Sequence, residues 1–215
     1  MKANRDISRR LSFDAFAQLY DVARPRLGVS LTGELLAFAR ISSGARVLEV
    51  GAGTGQWIDA LLAHGCLVEA LEPGDQMRAL IQRRFGDRVV TYGGDFEHFE
   101  GDQRGFDAVL ASNAFHWVDP TVGYERTRAV LKADGVLLFV WHFVTTGDDE
   151  RINGVIAECV PESHRELSTL LGIPPNVDEW LDEGRDELRA SGEFSEPRWQ
   201  WFEEPIHADD VGGHR

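Results

Sequence analysis

Six residues between positions 49 and 95 have the types and spacing that could hold a charged small molecule: Glu49, glycines at 51, 53 and 55, Glu72 and Asp95. The glycines lie in VLEVGAGTGQW, residues 47–57, an apolar run that ends in an acid and then turns. Glycine at alternate positions removes Cβ atoms where a backbone must approach a ligand, and a following helix N-terminus adds inward N–H groups. Two ligands call for such a turn: the pyrophosphate of a dinucleotide and the amino-acid end of S-adenosylmethionine. A dinucleotide site wants G-x-G-x-x-G, the third glycine letting helix and strand pack closely. Here that third position holds Gln56. A carboxylate at Glu49 would repel a pyrophosphate but suits an ammonium or sulfonium group. Glu72, 21 residues after Gly51, is placed to accept ribose hydroxyls in either case.

Further along, GGDFEHF at 93–99 offers Asp95 as an acceptor for an adenine amino group, with Phe96 as an aromatic wall beside it. SNAFHWVD at 112–119 follows the fourth strand candidate, the edge of an open α/β sheet where ligand clefts form. Within it His116 is the best-placed base for a hydroxyl or amine acceptor, and His142 is second. A packed, hydrogen-bonded histidine is the competing reading for His116. Cys66 and Cys159 stand far apart without metal-ligand spacing, so no metal site is expected and both read as small buried hydrophobes.

These residues need a scaffold, and the chain alternates apolar and amphipathic segments through its first two thirds. Strands are expected at 45–50, 67–72, 89–92, 106–112 and 135–142, with helices at 56–64, 75–85 and 120–131. Asp119 at an N-cap position followed by Pro120 marks the start of the last of these helices. Phe13, Phe16 and Tyr20 predict a helix ahead of the sheet. The alternation reads as α/β: a Rossmann-like, doubly wound, mostly parallel sheet with helices on both faces. One domain over 1–215 is expected, with cap helices at 1–44, a core at 45–146, a helical lid at 147–192 and a strand and tail at 193–215. The alternating Trp199 and Trp201 predict a sixth strand over 196–203. No β-branched or aromatic run follows it, so the C-terminal strands are expected to be incomplete, as in a shortened form of a longer protein. Such an unpaired edge invites a homodimer through the C-terminal end of the sheet.

The formal charge of −14 is unevenly placed, residues 146–215 holding 18 acids against 6 bases. That acidity argues against a nucleic-acid partner, which needs clustered Lys and Arg. No apolar stretch approaches the roughly 18 residues of a membrane span. The basic N-terminus has no apolar segment behind it, which argues against a secretory signal and leaves a cytoplasmic address.

Taken together, these motifs resemble the class I S-adenosylmethionine-dependent methyltransferases. EVGAGTG matches that family's first motif, Glu72 its second-strand acid and GDFE its adenine-site motif. AFHWVD, LKADGVLLF at 131–139 and YDVARP at 20–25 resemble the small-molecule branch that includes trans-aconitate methyltransferase, whose N-terminal helix closes over the cofactor. The resemblance implies S-adenosyl-L-methionine as cofactor, held by Tyr20, Arg24, Glu49, Gly51, Ala52, Gly53, Glu72, Pro73, Asp95, Phe96 and Asn113. It implies an acceptor pocket of Phe115, His116, Trp117 and His142 for a small molecule, a carboxylate among the candidates. Two other readings stay open: a nicotinamide-dependent oxidoreductase, and a binder of the same fold that has lost turnover.

Overall fold

The structure is a computed structural model that describes residues 11–101, 103–141 and 177–202. A single 3₁₀ turn at Asp14–Phe16 leads into α1 (Ala17–Ala23) and α2 (Val29–Ala39). Then come β1 (Arg46–Val50), α3 (Ile58–Ala63), β2 (Leu67–Leu71), α4 (Asp75–Phe85) and β3 (Val90–Tyr92). β4 (Phe106–Ser112), α5 (Pro120–Val130), β5 (Leu131–Val140) and α6 (Val177–Ser191) complete the described elements. The five strands form one parallel sheet in the order β3-β2-β1-β4-β5. This is the doubly wound order, and its chain direction switches between β1 and β4, where the strand ends diverge into a crevice.

Both faces of the sheet are covered, and strand parity decides which side chain meets which helix. Val47, Val68, Ala108 and Leu110 face a core shared with Leu35, Leu36, Trp57, Ile58, Leu61 and Ile81. Leu48, Val50, Val109 and Ala111 face the opposite core, with Phe106, Phe115, Tyr124 and Leu131. The same parity puts Glu49 on the Val47 side, at the carboxyl end of β1. Thr32 of α2 joins the first core by accepting a hydrogen bond from the Trp57 indole N–H at 3.0 Å, both residues being fully buried. Thr32→Val keeps the shape but leaves that N–H unsatisfied, so chemical denaturation should show a loss of about 1–3 kcal/mol. Burial pushes the Cys66 thiol up, in keeping with an inert core cysteine.

Most expected elements stand within a few residues of their predicted ends, and α5 starts as read, with Asp119 accepting from the Thr121 N–H at 2.9 Å. Two differences have physical causes. The helix expected from 56 begins at Ile58, because the positive-φ glycines hold the chain in a turn as far as Trp57. The sixth strand is a correction: residues 196–202 form no strand. Alternating aromatics make a strand only if a sheet edge pairs with them, and here Trp199 and Trp201 meet edge-on instead, ring centroids 6.3 Å apart. Phe202 meets Phe38 edge-on, Arg185 lies over Trp199, and Trp199 and Trp201 remain half exposed. Between this segment, α2, α6 and the outer edge of β5 runs a groove of about 670 Å³, lined by Leu31, Leu35, Phe139, Trp141, Arg185 and Phe202 among others. Among the described residues no helix is long and apolar enough to cross a membrane, and no cluster of three or more His, Cys, Asp or Glu could hold a metal ion.

Candidate cofactor site

The turn after β1 is built from three left-handed glycines, with φ of 68° at Gly51, 59° at Gly53 and 86° at Gly55. It is tied to β2, the Gly51 and Ala52 N–H groups donating to the Leu71 carbonyl at 2.8 and 3.2 Å. At Gly51 a side chain is also excluded by packing, since a Cβ would lie 2.5 Å from that of Ala114. Gly53 is different. A Cβ there would point at Gln56 Oε1 and the Tyr20 ring, at 3.2 and 3.6 Å, in the mouth of the crevice.

Around that mouth the fold gathers Tyr20, Arg24, Glu49, Gly51, Ala52, Gly53 and Asn113, together with Pro25, Leu27, Gln56, Trp57 and Ser112. Asn113 adopts a left-handed conformation (φ 49°) as the chain leaves β4, and its N–H donates to the Val140 carbonyl at 2.9 Å. Glu72 closes the side next to β2. Its carboxylate accepts from the Gly53 N–H at 2.8 Å and the Gly74 N–H at 2.9 Å, one oxygen each. Pro73 continues the turn, its carbonyl accepting from Arg78 at 3.2 Å.

The electrostatics are unusual for so small a space. Burial, with the neighbouring Glu72 charge second, pushes the Glu49 carboxyl up to about 8. Glu49 is 2% exposed, and its Oε2 has no hydrogen-bond partner among the described residues. Burial also raises Glu72, to about 7, although the Gly74 and Gly53 N–H groups pull it back. Burial raises the Tyr20 hydroxyl as well; Arg24 opposes and Glu72 adds to that shift, which puts the ring between the two. Two buried carboxyls that resist ionisation, one with an unused oxygen, favour a cationic ligand that satisfies both.

Other sequence candidates fall elsewhere. Asp95 lies past the end of β3, where its carbonyl accepts from His98, and it does not line the crevice. Phe96 is 2% exposed and packed against Phe99 and Phe115, and the Phe115 ring itself lies 4.6 Å from that of Phe139. Both serve the core, because the 3₁₀ turns after β3 and β4 aim them under α5 rather than into open space. His116 and Trp117 sit together on the second of those turns, rings 5.0 Å apart, beyond the crevice lining. His142 lies outside the described residues.

Sequence reasoning missed two acids that fasten the N-terminal segment here. One is Asp21, which meets the glycine turn itself through the Thr54 hydroxyl. The other is Asp14, which accepts from the Gln76 and Met77 N–H groups at 2.8 and 3.0 Å, capping α4 from about sixty residues away. Gly74 was the available signal for Asp14, since a Cβ there would meet its Oδ1 at 2.5 Å.

The strand order and the helices on both faces match the Rossmann-like fold of S-adenosylmethionine-dependent methyltransferases. Residues 48–139 match the family model described as a methyltransferase domain. Uncharacterized methyltransferases of Mycobacterium tuberculosis and Mycobacterium bovis are each 31% identical over 170 residues, which cover 79% of this chain and 62% of theirs. The chain thus spans about 62% of the length of these curated relatives. Among solved structures, a Methanococcus maripaludis protein described as an S-adenosyl-L-methionine-dependent methyltransferase superposes with a TM-score of 0.60 at 16% identity, covering 89% of this chain and 87% of its own. Phosphoethanolamine N-methyltransferase 2 of Haemonchus contortus, solved with S-adenosyl-L-methionine, also gives 0.60 at 20% identity, covering 89% of this chain and 44% of its own.

Proposed function

We propose that the protein binds S-adenosyl-L-methionine in this crevice and transfers its methyl group to a small-molecule acceptor by in-line displacement. The observation that carries the reading is the pair of buried carboxyls, Glu49 and Glu72, at a glycine turn. A sulfonium ligand with an ammonium group supplies the positive charge they lack; a pyrophosphate would meet repulsion. Gln56 in place of a third dinucleotide glycine counts against nicotinamide chemistry in the same way.

When bound, the cofactor supplies an already activated methyl. The residues then have to align and enclose rather than activate. Glu72 would take the ribose hydroxyls, Glu49 the ammonium of the amino-acid end, and Tyr20 and Arg24 would cover it. The acceptor would approach where the groove along β5 reaches Val140 and Trp141, next to Asn113. The segment 147–192, whose described part is α6, would form one wall of that approach. Its aromatic and aliphatic lining suits a small organic molecule, and the likeness of AFHWVD to the trans-aconitate branch keeps carboxylic acids in view. An ionised carboxylate needs no general base; for a hydroxyl or amine, His116 is the candidate base read from the sequence, with His142 second. Self-association through the outer edge of β5 belongs to the same proposal, since that edge has no strand beside it among the described residues.

Thermal-shift titration with S-adenosylhomocysteine and with NADH, followed by S-adenosylhomocysteine release across carboxylic acids, phenols and amines, tests the reading. Stabilisation by the first ligand alone and turnover with one acceptor class are expected. Stabilisation by NADH would reverse the cofactor, and binding without any turnover would leave a binder.

A further inference from the structure

The crevice is narrow in this structure. The free space among its lining residues is about 30 Å³, room for a water where small-molecule sites run to roughly 300–1,000 Å³. What narrows it is α1, whose Tyr20 ring lies over Gly53 and whose last turn brings Arg24 in. A helix of seven residues is marginal by itself, so its position depends on ties to the rest of the fold.

The main tie is Asp21. Its carboxylate accepts from the Thr54 hydroxyl at 2.7 Å, from both terminal nitrogens of Arg84 at 2.8 and 3.3 Å, and from Arg26 at 3.0 Å. Arg84 reaches on to the Thr54 carbonyl at 3.4 Å. One side chain therefore joins α1 to the glycine turn and to α4. Thr54 is fully buried and Asp21 is 15% exposed, so these bonds are partly shielded from water. Burial works against the Asp21 charge, but Thr54, Arg84 and Arg26 outweigh it and hold the carboxyl below its ordinary range. It stays ionised, and the tie stays made, throughout the neutral range. Neither Asp21, Thr54 nor Arg84 lines the crevice.

We propose that Asp21 is a positioning residue that latches α1 across the glycine turn, and that release of this latch gates the entry and exit of the cofactor. This rests on the cofactor reading above. Because ligand must pass through the opened state in both directions, weakening the latch speeds both passages. Loss of a direct contact would raise the dissociation rate alone, and loss of fold would reduce the amount of protein that binds.

Trp57 lines the crevice, so stopped-flow mixing with S-adenosylhomocysteine, followed by tryptophan fluorescence and checked by rapid filtration, is the measurement for both rates. Asp21→Ala is expected to raise association and dissociation each by roughly tenfold, with the dissociation constant moving about threefold or less. Arg84→Gln, which loosens the latch from the other side, should move both rates the same way and serves if Asp21→Ala folds poorly. Amide exchange in the ligand-free protein should quicken across 17–23 and not in β1. Asp107→Asn, which loses a 2.7 Å ion pair to Lys132 at the far end of β4, should leave the rates alone. With the wild type binding normally, unchanged rates in folded Asp21→Ala and Arg84→Gln would overturn the latch, as would a rise in dissociation only. A wild type that fails to bind S-adenosylhomocysteine would overturn the cofactor reading itself, and the latch with it.

Discussion

Gly53→Val is expected to reduce S-adenosylhomocysteine binding by at least a hundredfold while the protein stays folded. The separation of the two effects comes from where the missing Cβ points. At Gly53 it would stand in the crevice mouth, in ordinary contact with Tyr20 and pressing only on the flexible end of Gln56. The Cβ itself therefore needs no rearrangement of the core, and the backbone cost of a β-branched residue at φ 59° is on the order of 1–2 kcal/mol. The bound ligand would have to share space with two added methyl groups, and the Gly53 N–H that orients Glu72 would be disturbed as well. Gly51→Val gives the contrast. Its Cβ would collide with Ala114 and it shares the positive φ, so it should lower the melting temperature first and affect binding as a consequence. Calorimetric titration beside thermal melts distinguishes the two. Near-wild-type affinity in folded Gly53→Val would place the cofactor elsewhere.

The second large effect is on pH, and it has opposite signs for stability and for binding. Glu49 and Glu72 titrate near 8 and 7 in the folded protein, above the 4.5 of a free glutamate, chiefly because burial disfavours the charge. In that interval the native state holds protons that the unfolded chain has released. Their stabilising effect is therefore complete below about pH 4.5 and fades as pH rises through 7 and 8. A proton retained on folding contributes about 1.4 kcal/mol for every tenfold change in its affinity, so the ligand-free protein should lose a few kcal/mol between about pH 5.5 and 9. A cationic ligand prefers the ionised pair, so affinity should climb over the same interval, by up to about tenfold per pH unit, and level off above 8. Melting curves with and without S-adenosyl-L-methionine should draw apart as pH increases. Glu49→Gln should flatten the slope of the ligand-free curve. Affinity independent of pH from about 6 to 9 would remove the two glutamates from the ligand's contacts.

Much of this protein is legible in one dimension because its signals are local. Period-two parity and strand–helix alternation need only near neighbours, and β4 and α4 stand at 106–112 and 75–85 as read. Glycine spacing is likewise a local demand: positive φ at 51, 53 and 55 follows from the turn itself. The acid at the end of β1 is buried because both faces of that central strand are covered, and parity decides only which core Glu49 meets. Sequence alone therefore determined the fold class and the glycine turn.

Tertiary structure decided what depends on who arrives from a distance. Phe96, Phe115 and His116 follow strand ends in sequence where a pocket wall would stand, yet the two phenylalanines are core, because α5 lies over their turns and offers more apolar contact than open solvent does. The alternating Trp199 and Trp201 carry a strand pattern without a strand, since a strand exists only when another edge supplies hydrogen bonds. Asp14 and Asp21 are ordinary acids on an N-terminal segment until folding brings α4 and the glycine turn to hydrogen-bonding distance. Pairings across about sixty residues leave no periodicity behind, so only the folded chain shows these ties between the N-terminal segment and α4.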